Sequence, residues 1–161
     1  MVKWTVFCLL LVLALSGCGS SEAQLSAAVQ AIDPQLRSRY AHSYAGLEVE
    51  DDRLIIYRKP DATVDAFVRE RTEDVDVEFR DAPYALDTLQ PLADRVNGDR
   101  HHWLTRDFPV TLAVPRADGT GVNAFVATED LEAARAEFRQ WYGAEPVIVD
   151  RPTRTGIVPV G

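Results

Sequence analysis

Cysteine, methionine, lysine and histidine are all scarce in this chain of 161 residues, which has two cysteines, one methionine and three histidines. Lysine occurs only at Lys3 and Lys59, so nearly every cation is an arginine. Two cysteines exclude a disulfide framework, and stability must come from a packed core. The sequence lacks G-x-S-x-G, an HxH or HxxxH pair and the D-x-D-x-D-G calcium loop, so it offers no recognisable nucleophile elbow, chelating histidine pair or EF-hand. Basic side chains are also outnumbered, 17 against 25 acidic, for a net charge of −8. That balance argues against non-specific nucleic-acid binding and against charge-driven adhesion to anionic lipid. What remains is ordinary for a folded protein: 47% hydrophobic and 26% charged residues, enough chain for one domain or two very small ones.

Long apolar runs are absent except at the start. Lys3 precedes an uncharged stretch from Trp4 to Leu15. Twelve helical residues span about 18 Å, well short of the roughly 30 Å hydrocarbon core, so residues 1–17 fit a signal peptide better than a membrane span. The stretch ends in Leu15-Ser16-Gly17-Cys18, which resembles the lipobox of bacterial lipoproteins. The resemblance implies that diacylglycerol is attached to the thiol of Cys18, that cleavage falls just before it, and that the mature chain is anchored in the cell membrane on its extracytoplasmic face. Cys8 lies within the signal. Removing residues 1–17 takes Lys3 alone among the charged residues and leaves −9 over 144 residues.

Residues 18–43 read as the lipidated cysteine and a tether. Leu25, Ala28, Val29 and Ile32 form a short helical stripe that Asp33-Pro34 should stop. Residues 44–150 read as an α+β domain. Leu47 and Val49 alternate with Glu48 and Glu50, Asp51-Asp52 supplies a turn, and Leu54–Tyr57 forms the return strand. Asp61 or Thr63 can cap a helix carrying Val64, Phe67 and Val68, and Val75, Val77 and Phe79 alternate as a strand. A helix bearing Leu86, Leu89, Ala93 and Val96 follows, with Pro91 expected to kink or divide it and Gly98 placed to end it. Residues 97–108 have no clear period and read as a polar loop.

The second half echoes the first. Val110, Leu112 and Val114 predict a strand, Arg116–Gly121 a turn, and Val122, Ala124 and Val126 its return. Thr128 can cap a helix with Leu131, Ala134, Phe138 and Trp141 inward, closed by Gly143, before Val147–Val149. The expected fold is therefore two ββαβ-like units at about 44–80 and 109–150, joined by a helix, with mostly antiparallel sheet, a pattern consistent with an internal repeat. Residues 151–161 read as a flexible tail.

Few side chains suggest chemistry. His101 and His102 could bind zinc or copper, though neighbouring loop residues do not usually reach one metal; packing around Trp103 is the plainer account. The carboxylates Glu48, Glu50, Asp51 and Asp52 fit a solvated face better than a calcium site. Asp118–Gly121 could cradle an anion through its amides, but fits a hairpin turn better. Tyr40, Tyr44 and Tyr57 could line a groove or fill the core. No residue stands out for catalysis and none for holding a cofactor, so the chain reads as a non-enzymatic binding module for a protein or other envelope component. Residues 75–80 and 146–150 are candidate edge strands for docking by strand addition.

Ser43–Val49 with Arg53–Ile56, and the helix ending Trp141-Tyr142-Gly143 before Val147–Val149, resemble the pro-regions of secreted bacterial trypsin-like serine proteases. That resemblance loosely covers 43–100 and 110–150. It implies two small α+β units that clasp a protease through a sheet edge as inhibitor and chaperone, although no protease follows in this chain.

Overall fold

The computed structural model describes residues 20–152. The signal segment 1–17, Cys18 and residues 153–161 of the expected tail lie outside the described residues. The remainder contains two units of one topology, each helix–strand–strand–helix–strand. The first comprises α1 (Ser20–Arg39), β1 (Tyr44–Glu50), β2 (Arg53–Arg58), α2 (Ala62–Arg71) and β3 (Val77–Asp81). The second comprises α3 (Leu86–Gly98), the short α4 (Arg100–Leu104), β4 (Val110–Pro115), β5 (Val122–Val126), α5 (Leu131–Tyr142) and β6 (Val147–Asp150). The linking helix α3 thus does for the second unit what α1 does for the first.

Each unit carries a three-stranded sheet, ordered β1-β2-β3 and β4-β5-β6. Hairpins make β1–β2 and β4–β5 antiparallel, while the crossovers through α2 and α5 return β3 and β6 parallel to the central strands. The sheets are accordingly mixed, with one antiparallel and one parallel pair each. The correspondence extends to detail. Both hairpins carry a register shift near the start of their first strand, between Tyr44 and Gly46 and between Val110 and Leu112. Both crossover helices start at an aspartate whose carboxylate accepts from a first-turn amide: Asp61 from Thr63 at 2.8 Å and Asp130 from Ala133 at 2.9 Å.

Several elements differ from the sequence expectation for identifiable reasons. α1 does not stop at Asp33-Pro34. Pro34 and Gln30, whose carbonyl the proline leaves without its helical donor, both face water, which can serve that carbonyl. Beyond the proline, Leu36 is fully buried and Asp33 accepts from the Tyr44 hydroxyl at 2.6 Å, which ties the last turns to β1. Pro91 likewise sits on the exposed side of a single α3. Gly98 is the last residue of α3 rather than a residue beyond it. In β4 the shift at Thr111 turns Leu112 outward, 46% exposed, and buries Ala113 in its place. Thr128 does not cap α5; its hydroxyl accepts instead from the amide of Asp130, the residue that does. Trp141 is half exposed, and Tyr142 takes the inward position.

Two cores follow from the two units. Leu25, Ile32 and Leu36 of α1 pack with Leu54, Ile56 and Val64. Leu89, Ala93 and Val96 of α3 pack with β5 and with Trp103, Phe138 and Tyr142. Leu86, at the start of α3, belongs to the first core, so this helix spans both. The units meet at a seam made by the Arg116–Gly121 turn. Gly119 adopts φ +68°, donates to the Arg116 carbonyl, and accepts from the Tyr84 amide at 3.1 Å. A Cβ there would lie 2.6 Å from the Ala82 methyl, and one on Gly46 would lie 2.6 Å from the Ala117 backbone. Glycine is needed at both positions because the two units touch main chain to main chain.

Candidate functional site

His101 and His102 are the candidate metal ligands of the sequence. Residues 97–108 are not a loop throughout: His101, His102 and Trp103 lie on α4, whose hydrophobic anchor Trp103 is fully buried. Successive helical residues diverge by about 100°, so the two imidazoles leave in different directions. His101 faces solvent, whereas His102 stacks on Trp141 at 3.8 Å between ring centroids. Around them the Trp103 indole N–H donates to the Tyr142 hydroxyl at 3.1 Å, and that hydroxyl donates to Asp99 at 2.9 Å. Burial and the Asp99 hydrogen bond hold the Tyr142 phenol well above its ordinary pKa. This is a packing network with one polar end left over, since the His102 Nε2 is buried without a hydrogen-bond partner. Among the described residues no group of three or more His, Cys, Asp or Glu side chains could hold a metal ion.

The other candidates also resolve into structure. Glu48 accepts from the Tyr57 hydroxyl at 3.0 Å and Glu50 from Arg80 at 3.1 Å, while Asp51 and Asp52 take the positive φ angles of a tight hairpin turn. The Asp118 carboxylate accepts from the Thr120 amide and pairs with Arg116 at 2.6 Å, so it occupies the turn that an anion would need. The Arg116 guanidinium lowers the Asp118 carboxyl to about 2. Tyr40 packs on Phe67, Tyr44 is buried in the first core, and Tyr57 lies on the opposite face of the sheet. The three tyrosines line no common groove.

What the fold does leave open is backbone. In a parallel pair, alternate residues of the outer strand point their N–H and C=O away from the neighbour. Leu54 donates to Asp76 O and Ala82 donates to Arg58 O, which fixes the phase. Asp76, Glu78 and Arg80 face β2, and the main-chain groups of Val77, Phe79 and Asp81 face outward. No partner for those outward groups occurs among the described residues. The matching outer strands of the second sheet are partly closed. In β4 the outward N–H and C=O of Ala113 are both held by the Asn97 carboxamide, at 3.0 and 2.8 Å, and the next outward residue is Pro115, which has no N–H. In β6 the outward amide of Val147 is bonded to Glu145 O and the carbonyl of Val149 accepts from Arg135 at 3.1 Å, while no partner for the Val147 carbonyl or the Val149 amide occurs among the described residues. The remaining edge, β1, faces the second unit through a cleft of about 290 Å³ between Leu47 and Ala113–Pro115.

The sheet faces away from the helices differ in the same ordered way. On the first, Arg53 pairs with Asp76 and Glu78, and Arg80 pairs with Glu78 and Glu50, in a lattice over the buried Ile55. Flanking Arg80 and Arg53 hold the Glu78 carboxyl below its ordinary pKa. On the second, the matching positions are Leu112, Val114, Phe125 and Ile148, all at least partly exposed, around Asn123. The alternation of Asp76, Glu78 and Arg80 announced a wet face in the sequence. The edge-closing roles of Asn97 and Arg135 did not show, because each depends on a helix placed by the tertiary fold.

Of the two edges expected from the sequence, 75–80 and 146–150, the first is open along its length and the second is covered at the Val147 amide and the Val149 carbonyl. No helix among the described residues is long and apolar enough to cross a membrane. No protein-family model matches the chain, and no curated protein or solved structure is significantly similar to it.

Proposed function

We propose that this chain is a lipid-anchored, extracytoplasmic, non-enzymatic binding module that takes a protein partner by strand addition at β3. The observation that carries the binding half is the open β3 edge, where Val77, Phe79 and Asp81 present unpaired main-chain groups while β4 and β6 of the second sheet have side chains or turns bonded to part of theirs. Main-chain hydrogen bonds would supply the attraction and the flanking side chains the selectivity. The anchoring half rests on Leu15-Ser16-Gly17-Cys18. Diacylglycerol on Cys18 brings two acyl chains, enough for stable residence in a bilayer where one is marginal. The resemblance to protease pro-regions, which act through a sheet edge, points to the same use of the fold.

Two experiments test the halves separately. Intact mass of the protein from a bacterial host should show loss of residues 1–17 and added acyl mass, both abolished by Cys18→Ala; an unmodified wild-type mass overturns the anchor. For docking, Val77→Pro removes an outward N–H and a side chain packed on the first core but leaves the ladder to β2 intact, and Val77→Ala, which removes the side chain alone, is its control. Crosslinking in intact membranes should show a Val77-dependent adduct. Adducts unchanged by Val77→Pro would count against β3 as the docking edge.

A further inference from the structure

We infer that the strand added at β3 is β3 of a second copy of this chain, paired antiparallel about a two-fold axis at Phe79. The inference rests on the proposal that β3 is a docking edge, and names its occupant. Its warrant is the charge order of the strand, Asp76-Val77-Glu78-Phe79-Arg80-Asp81. A symmetric antiparallel pair can place its axis at any residue of the strand; at Asp76, Glu78 or Arg80, whose main-chain groups point inward, that side chain would face its own like charge in the second copy, which leaves Val77, Phe79 or Asp81.

The three registers are not equivalent. An axis at Val77 places Glu78 opposite Asp76 of the second copy, like against like. An axis at Asp81 sets the two Asp81 carboxylates opposite one another. The axis at Phe79 places Glu78 opposite Arg80 and Arg80 opposite Glu78, both at non-hydrogen-bonded positions, where side chains approach most closely. Both main-chain bonds are then exchanged at the Phe79 pair and at each Val77–Asp81 pair. The charge lattice of the first sheet favours this continuation. Within one chain Glu78 and Arg80 already lie side by side at 2.7 Å, so two copies would join their charges into one alternating square.

The opposite side of the edge fits as well. Phe79 is only partly buried, and its ring lies 5.0 Å from the Arg69 guanidinium and 5.5 Å from that of Arg58. Arg58 is neutralised by Asp65 and Asp81, whereas Arg69 has no carboxylate partner among the described residues. Pairing would bring the two Phe79 rings together between these cations and join the two sheets into a continuous six-stranded one. The second unit offers no such charge pairing: β6 presents Val147-Ile148-Val149, with Arg135 bonded to the Val149 carbonyl.

Sedimentation of the purified full-length protein in detergent, over a range of concentration, tests the inference. The wild type should be a dimer. Glu78→Arg or Arg80→Glu alone sets like charges opposite each other twice per dimer and should weaken association by about tenfold or more. The double variant E78R/R80E reverses both and should restore it to within about threefold, which a folding defect would not do. A chain that stays monomeric throughout, or a dimer indifferent to the single reversals, overturns the second copy as occupant. If the chain is monomeric yet its membrane adduct still depends on Val77, the docking edge stands and only its occupant is wrong. Loss of that dependence as well removes the docking edge itself.

Discussion

The two units share a topology, a bulge position and an aspartate cap, yet they expose opposite things. The first presents a charged sheet face and an open outer edge. The second presents an apolar sheet face and edges partly covered by Asn97, Pro115 and Arg135. An open edge is a liability as well as an opportunity, since unpaired main chain recruits any extended segment. A flat apolar strand left open would aggregate without selectivity. The second unit, with Val147-Ile148-Val149 at its edge, has the sequence that most needs covering, and Arg135 covers the Val149 carbonyl. The first, with Glu78 and Arg80 at its edge, can stay open because charge selects what pairs there. Edge and face therefore vary together, and the proposed docking strand lies on the unit whose outer edge is fully open.

Variants that break this comparison rank by the contact they remove. Trp103→Ala should act most strongly, because Trp103 is fully buried and stacked on Phe138 at 3.8 Å. A loss of about 3–5 kcal/mol is expected in chemical denaturation, and unfolding of the second unit ahead of the first would show that the cores are separable. Gly119→Ala attacks the seam. Its added methyl meets the Ala82 methyl and the Tyr84 carbonyl at a positive φ, for an expected cost of about 1–3 kcal/mol and a single transition split in two. Asn97→Ala strips the β4 edge of its carboxamide. It should cost about 1–3 kcal/mol and speed amide exchange at Ala113 while leaving Val77 unaffected.

Acid sharpens the same seam. The Asp118 carboxyl titrates near 2, below its ordinary 3.8, because of Arg116. A carboxylate lowered on folding contributes its stabilisation above the ordinary value and loses it as pH falls through the folded one. The turn should therefore loosen between about pH 4 and pH 2, and Asp118→Asn should flatten that part of the pH profile as read by the thermal midpoint. The smallest effect on stability is expected from Arg135→Ala, about 0.5 kcal/mol or less, since its ion pairs are largely exposed. Its informative consequence would be concentration-dependent association through the newly opened Val149 carbonyl.

Much of this architecture was legible in the chain. Period-2 alternation marked β1, β3 and β5, the aspartate-rich turns marked both hairpins, and 3.6-residue stripes marked α2, α3 and α5. The repeat showed as a recurring order of elements. Three things did not show. The length of α1 depended on Leu36 and Tyr44 meeting across a proline that local rules treat as a stop. The facing of Leu112 and Ala113 depended on a one-residue bulge, which inverts every later side chain. The state of each sheet edge depended on side chains from distant helices. The site was therefore legible only as a pair of candidates, residues 75–80 and 146–150, and Arg135 separates them.

Residue-resolved amide hydrogen exchange, followed as a function of protein concentration, tests the contrast between the two units most directly. The Ala113 amide, held by Asn97, should exchange slowly at every concentration. The Phe79 amide should exchange quickly in dilute protein and become protected as copies associate. A Phe79 amide equally protected at all dilutions, or an Ala113 amide as fast as it, would contradict the assignment of the open edge to the first unit.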